Sequence, residues 1–214
     1  MFRSPIFVLI ASIICLVVGL TMKSSYIEIF ASVTGIINVW LLARERVLNF
    51  AFGIMAVSAF IYIFYTQGLY AMVVLTAVQL VLNVYGWYYW KTSSGTEDVR
   101  STVRLDAKGW TIYSIIIVMA WLAWSWYQIQ YLGSEFPYLD ALTAVLGLIA
   151  QYMLSKKILE TWHLWIVYNI VTIVVFLSTE LYVMIILAVI NLALCVDGLL
   201  DWKRNYDRKR TASA

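Results

Sequence analysis

Residues 69–91, LYAMVVLTAVQLVLNVYGWYYWK, and residues 181–203, LYVMIILAVINLALCVDGLLDWK, are two versions of one segment. Leu69/Leu181, Tyr70/Tyr182, Met72/Met184, Leu75/Leu187, Leu82/Leu194, Gly86/Gly198, Trp90/Trp202 and Lys91/Lys203 match at a single offset of 112 residues. Upstream, Gly35 stands opposite Gly147 and Arg44 opposite Lys156. One extra residue in the first copy is read here as shifting the register, so that Asn49 and Phe52 face Trp162 and Trp165, and Ala56 faces Asn169. Each copy spans three apolar segments. A duplicated apolar unit implies two half-bundles around a shared central site, an arrangement that suits solute passage better than catalysis or scaffolding.

The apolar segments are too long and too frequent for a soluble domain. The chain is 63% hydrophobic and 13% charged over 214 residues, with two prolines and ten tryptophans. Its mean hydropathy is +0.84. Runs long enough to cross a hydrocarbon core of about 30 Å recur throughout. Period-2 alternation is absent, so the backbone must satisfy itself as helices rather than as a closed barrel. We expect an all-α integral membrane protein with spans near 5–22, 27–43, 48–66, 69–90, 110–131, 139–154, 162–177 and 181–200. The first lacks a small-residue cleavage site around Thr21–Ser25 and is longer than a signal-peptide core. Cys15 and Cys195 lie inside apolar runs and read as packing residues.

Loop charge supports eight spans. Fourteen basic residues fall on one side: Arg3, Arg44, Arg46, Lys91, Arg100, Arg104, Lys108, Lys156, Lys157, Lys203, Arg204, Arg208, Lys209 and Arg210. Only Lys23 falls on the other. The positive-inside rule then puts both termini in the cytoplasm, so the net charge of +3 reports orientation, not nucleic-acid binding. The expected organisation is an extra N-terminal helix (1–24), a first three-helix repeat (25–91), a cytoplasmic loop (92–109), a linker helix (110–131), a second three-helix repeat (132–203) and a basic cytoplasmic tail (204–214). Three helices invert a chain's direction, and the single linker helix restores it, which keeps the repeats parallel.

The segment ETWHLWIVYNIVTI (Glu160–Ile173) is the richest in chemistry. On a helix, Trp162, Trp165, Asn169, Thr172 and Phe176 follow steps of three and four and share one face. That face offers two indole planes and an amide, suited to a flat heterocycle and, through cation–π attraction, to a cationic one. Tryptophans near a helix end also form interfacial belts. The helix 69–90 aligns Thr76, Gln79, Asn83, Trp87 and Trp90. Gln79 and Asn83, like Asn38, Gln151 and Asn191, read equally as ligand contacts or as hydrogen-bonding glue between helices. His163 points off the tryptophan face. Glu28, Asp140, Glu160, Glu180, Asp197 and Asp201 sit near helix ends as caps or dipole partners. No phosphate loop, nucleophile triad, metal pattern or cofactor motif is present, so no enzyme activity, metal or cofactor is expected.

Three stretches, NVYGWYYWK (Asn83–Lys91), Leu139-Asp140 through Ser155-Lys156-Lys157, and ETWHLWIVYN (Glu160–Asn169), resemble the PnuC family of vitamin-precursor transporters. The resemblance covers nearly all of the chain after about residue 25. It implies a SWEET-like core of three plus one plus three helices, with an added N-terminal helix, in a bacterial inner membrane. It also implies facilitated diffusion of an unphosphorylated vitamin precursor, nicotinamide riboside, with trapping by a cytoplasmic kinase. Trp162 and Trp165 match the family's W-x-x-W, which belongs to its binding site, and Asn169 matches a polar position of that site. Family carriers of nicotinamide riboside have Asn and Gln where this chain has Ala56 and Thr76, so thiamine is kept as the alternative. Ion-coupled transport and a non-transporting scaffold are the remaining readings, and a homo-oligomer, such as a trimer, is the expected assembly.

Overall fold

A computed structural model describes residues 5–21, 23–68, 70–92, 100–133, 136–178 and 182–212. Expectations resting on Arg3, Leu69, Glu180 and Leu181 lie outside these residues, as do the side chains of Tyr70, Tyr182, Met184 and Leu187. The fold is all-α. The described residues form eight α-helices: α1 (Pro5–Thr21), α2 (Tyr26–Ala43), α3 (Asn49–Thr66), α4 (Tyr70–Lys91), α5 (Ala107–Tyr127), α6 (Pro137–Ser155), α7 (Thr161–Ser178) and α8 (Tyr182–Ala212). Among the described residues, five stretches are long and apolar enough to cross a membrane: Tyr26–Ala43, Asn49–Thr66, Met72–Lys91, Ala107–Leu132 and Pro137–Ser155. Pro5–Thr21 and Thr161–Leu177 are shorter apolar helices.

Local chemistry sets the helix ends. Ser25 caps α2 reciprocally with Glu28: Glu28 N–H donates to Ser25 Oγ, and Ser25 N–H donates to Glu28 Oε2 at 2.9 Å. Asp106 caps α5 by accepting from Gly109 N–H at 2.7 Å, which starts that helix three residues earlier than hydropathy alone suggests. Pro137 occupies the first turn of α6, where its missing N–H costs nothing. The last turn of α5 loosens into a π-helical turn, Gln128–Leu132, closed by left-handed Gly133. The basic segment expected as a tail continues α8 as far as Ala212.

The helices pack as a ring. α2 contacts α3, α3 contacts α4, α4 contacts α6, α6 contacts α7, α7 contacts α8, and α8 returns to α2. α1 leans on α2, and α5 lies against α6 outside the ring. α1 and α5 turn large apolar side chains outward, among them Ile6, Leu9, Ile13, Ile115 and Met119. The ring meanwhile buries Thr76, Asn83, Gln151 and Asn169. Apolar outside with amides inside is the partition that lipid imposes.

The register shift expected between the copies is absent. α2 and α6 end at Ala43 and Ser155, and α3 and α7 begin at Asn49 and Thr161 and end at Thr66 and Ser178, all 112 apart. The physical reason is a matched pair of contacts. A Cβ on Gly86 would lie 2.6 Å from the Phe50 ring, and one on Gly198 would lie 2.4 Å from the Trp162 ring. Phe50 meets Trp90 edge-on at 5.0 Å and Trp162 meets Trp202 edge-on at 5.5 Å. Phe50 is therefore the counterpart of Trp162, and Gly53, not Phe52, is the counterpart of Trp165.

Candidate functional site

Trp162 and Trp165 have different surroundings. Trp162 is fully buried, its ring against Gly198 and Trp202, in a cluster with Leu42, Phe50, Trp90 and Leu159. No face of that indole is open to a solute. Trp165 is half-buried and packs edge-on to Tyr168 at 5.4 Å. Its indole N–H is buried and has no acceptor in the protein. The Gln151 side-chain nitrogen, one turn from Gly147 on α6, is in the same condition. Leaving such a donor dry costs about 1–3 kcal/mol, which a ligand or water acceptor removes.

Amides gather where α2, α3 and α4 meet. A Cβ on Gly53 would lie 2.3 Å from Asn38 Nδ2 and 2.6 Å from Asn83 Oδ1, so α2 and α4 bring these two amides together against the bare backbone of α3. Asn83 Nδ2 donates to Gln79 O at 3.0 Å, which aims Oδ1 toward Gly53. Gln79 Nε2 approaches the place a Gly147 Cβ would take, at 3.7 Å, beside the Tyr168 ring. On α7, Asn169 Nδ2 donates to Trp165 O at 2.7 Å and to Cys195 Sγ at 3.7 Å. Its carbonyl oxygen is then what it can offer a solute. Thr172 and Thr76 donate to carbonyls of their own helices, at 2.8 and 2.6 Å.

Two expected positions lie elsewhere. Asn49 is buried at the first position of α3, donating to Arg46 O at 2.7 Å, and Phe52 is half-buried beside the position that matters. His163 meets Trp110 of α5 at 5.8 Å, away from the amides. Gly53 and Tyr168 escaped the sequence reading, and Cys195 was read only as a packing residue. Keeping the offset of 112 through α3 would have found Gly53 as the partner of Trp165, and the same offset through α4 and α8 already sets Cys195 opposite Asn83. At the end of α6, Lys156 Nζ donates to the Tyr85 hydroxyl, which holds the ammonium pKa above the ordinary lysine range.

A lipid-facing bundle whose interior presents amides, an indole and unanswered donors defines a membrane transporter for a small polar solute. Comparison with known proteins gives the family. The profile of the nicotinamide mononucleotide transporter family matches residues 25–204. Relatives include "Nicotinamide riboside transporter PnuC" of Escherichia coli (strain K12), 26% identical over 203 residues covering 83% of this chain and 85% of that one. The protein of the same description from Neisseria mucosa is 30% identical over 158 residues, covering 70% of this chain and 59% of that one. A solved structure, "Crystal structure of the Vitamin B3 transporter PnuC", superposes with a TM-score of 0.78 at 25% identity, over 95% of this chain and 91% of the other. The chain belongs to the nicotinamide mononucleotide transporter family. It is a multi-pass membrane transporter and not an enzyme.

Proposed function

We propose that this protein carries nicotinamide riboside, unphosphorylated, by facilitated diffusion across the bacterial inner membrane, and that a cytoplasmic kinase traps the product. The observation that carries the reading is the asymmetry between Trp165 and its repeat counterpart Gly53. An indole stands at one position of the second repeat, and the matching position of the first is emptied to admit two amides. An asymmetric solute fits such a site: a cationic ring on the indole, and a carboxamide or hydroxyls toward Asn38, Asn83 and the Asn169 oxygen. Gln79, Thr76, Gln151 and Thr172 border the same interior, and Trp162 supports Trp165 from below.

The family description speaks of a mononucleotide, whereas the relatives are described as riboside transporters. The site argues for the riboside. None of the residues named for it is basic, and a phosphate dianion among amides in a membrane interior has nothing to offset its desolvation. Thiamine remains the second reading, favoured by Ala56, a buried residue where a carrier of the riboside has an amide, and by Thr76, whose hydroxyl is taken by Met72 O.

The repeats act as SWEET-like half-bundles that rock about this site, with both termini cytoplasmic and the protein assembled as a homo-oligomer such as a trimer. Tryptophan fluorescence of the purified protein, titrated with nicotinamide riboside, its 5′-phosphate, thiamine and riboflavin, tests the substrate. Saturable quenching by the riboside with none by its phosphate is expected. Tight binding of the phosphate would contradict the reading, and selective binding of thiamine would replace the solute while keeping the site.

A further inference from the structure

We infer that Glu45 and Lys157 form an electrostatic latch that closes the cytoplasmic end of the transport path. The two residues stand 112 apart and are thus counterparts in the two repeats. Both adopt the left-handed backbone conformation, at φ 54° and 56°, in the turns that follow α2 and α6. Each is the left-handed residue of a helix stop: Glu45 N–H donates to Leu42 O and Arg46 N–H to Leu41 O, as Lys157 N–H donates to Leu154 O and Ile158 N–H to Met153 O, so the same turn in both repeats carries the two side chains at matched places. Lys157 Nζ lies 2.7 Å from Glu45 Oε2, with Lys157 only 1% exposed. The contact therefore joins one repeat to the other, in a buried setting.

The neighbours make it a closure rather than an isolated ion pair. The Lys157 ammonium sits 4.8 Å from the centre of the Trp90 ring and 6.0 Å from that of Trp202. These tryptophans are also counterparts and lie 5.5 Å apart. Each is tied across the seam: Trp90 Nε1 donates to Leu154 O and Trp202 Nε1 donates to Leu42 O, both at 3.1 Å. The segment before α5 straps the seam from outside. Val103 N–H donates to Lys157 O, Leu159 N–H donates to Val103 O, and Lys157 Nζ donates to Arg100 O. Thr102 and Asn205 donate to the Glu45 carboxylate.

Such a pair suits a gate. While the seam is closed the charges attract strongly, and the buried Lys157 ammonium has no water to replace its partner, whereas the Glu45 side chain keeps 15% of its surface exposed. When the halves part, water solvates both, so the open state is not penalised by an orphaned charge. Removing one charge alone leaves the other buried without its counter-charge, which favours the open, hydrated state. Removing both restores a dry, neutral seam.

Cys195 reports on this seam. It is buried in the same cluster as Trp90, Trp202 and Leu159. In a Cys15→Ala background the thiol is labelled with a small charged methanethiosulfonate, in detergent-purified protein without substrate. The outcome therefore does not depend on which solute is carried. Glu45→Gln should speed labelling about tenfold, and Glu45→Gln with Lys157→Met should return it to within about threefold of the parent. An unchanged rate in folded Glu45→Gln would overturn the latch. So would a double variant as fast as the single one, because the effect would then be local disruption. If Glu45→Gln does not fold, Lys157→Met takes its place: labelling faster than the parent's, returned toward it in the double variant, supports the latch, and an unchanged rate overturns it.

Discussion

Trp162 and Trp165 are three residues apart on α7 and do different work. Trp162 fills a hole shaped by Gly198 and closed by Trp202. Truncating it leaves a cavity in a packed seam, and we expect Trp162→Ala to cost about 3–5 kcal/mol, seen as a large drop in melting temperature. Trp165 keeps part of its surface for the interior, whereas an indole N–H without an acceptor is common to both tryptophans. Trp165→Ala should leave the melting temperature near the parent's and weaken solute binding about tenfold, on the order of 1–2 kcal/mol, by fluorescence titration or calorimetry. His163→Ala should leave binding unchanged, since its ring faces Trp110. If His163→Ala and Trp165→Ala weaken binding equally, the stacking role is lost.

Helix pairing rests on matched close approaches. Gly86 and Gly198 admit the Phe50 and Trp162 rings, and Ser155 Cα stands 3.2 Å from where a Gly86 Cβ would be. Gly86→Ala and Gly198→Ala should both destabilise the protein, read as lower melting temperatures, whereas Gly35→Ala, with open space around it, should be neutral or stabilising by about 0.5–1 kcal/mol. Equal effects at all three glycines would show that helix propensity, not packing, governs them. These glycines also explain what was legible beforehand. Apolar runs, basic loops and the offset of 112 through α4 and α8 define the helices and their two sets, because lipid constrains composition directly. The register of α3 against α7 was not legible. Similarity pairs an aromatic with an aromatic, Phe52 with Trp165, and has no reason to pair an indole with Gly53. Only packing shows that Phe50 and Trp162 occupy equivalent holes. Trp162 and Trp165 likewise share a face in projection, but the approach of α8 at Gly198 covers one and spares the other.

Among the described residues every basic residue but Lys23 lies toward the end of the ring where α2, α4, α6 and the span of α8 terminate, and reporter fusions at residues 1 and 214 should both register the cytoplasm. A periplasmic signal at residue 1 would remove α1 from the set of spans. Glu28 is held in the cap of α2 and Asp140 is in the first turn of α6, as expected, but Asp197 and the buried Asp201 lie within α8 rather than near its end, because that helix runs on to Ala212. The positions of Glu28 and Asp140 do not suggest a coupling-ion site at mid-depth, which is the basis for reading the carrier as a uniporter and leaves Asp197 as the first residue to test if ion coupling is found. The direct test is uptake of labelled nicotinamide riboside by proteoliposomes holding the purified protein and no kinase, with the membrane potential clamped at zero. The clamp matters because a cationic solute responds to voltage by about 2.3 kcal/mol per charge per 100 mV. Uptake is expected to stop at equal free concentrations inside and out, and imposed proton or sodium gradients should not move that endpoint. Steady accumulation above equality under those gradients would contradict facilitated diffusion.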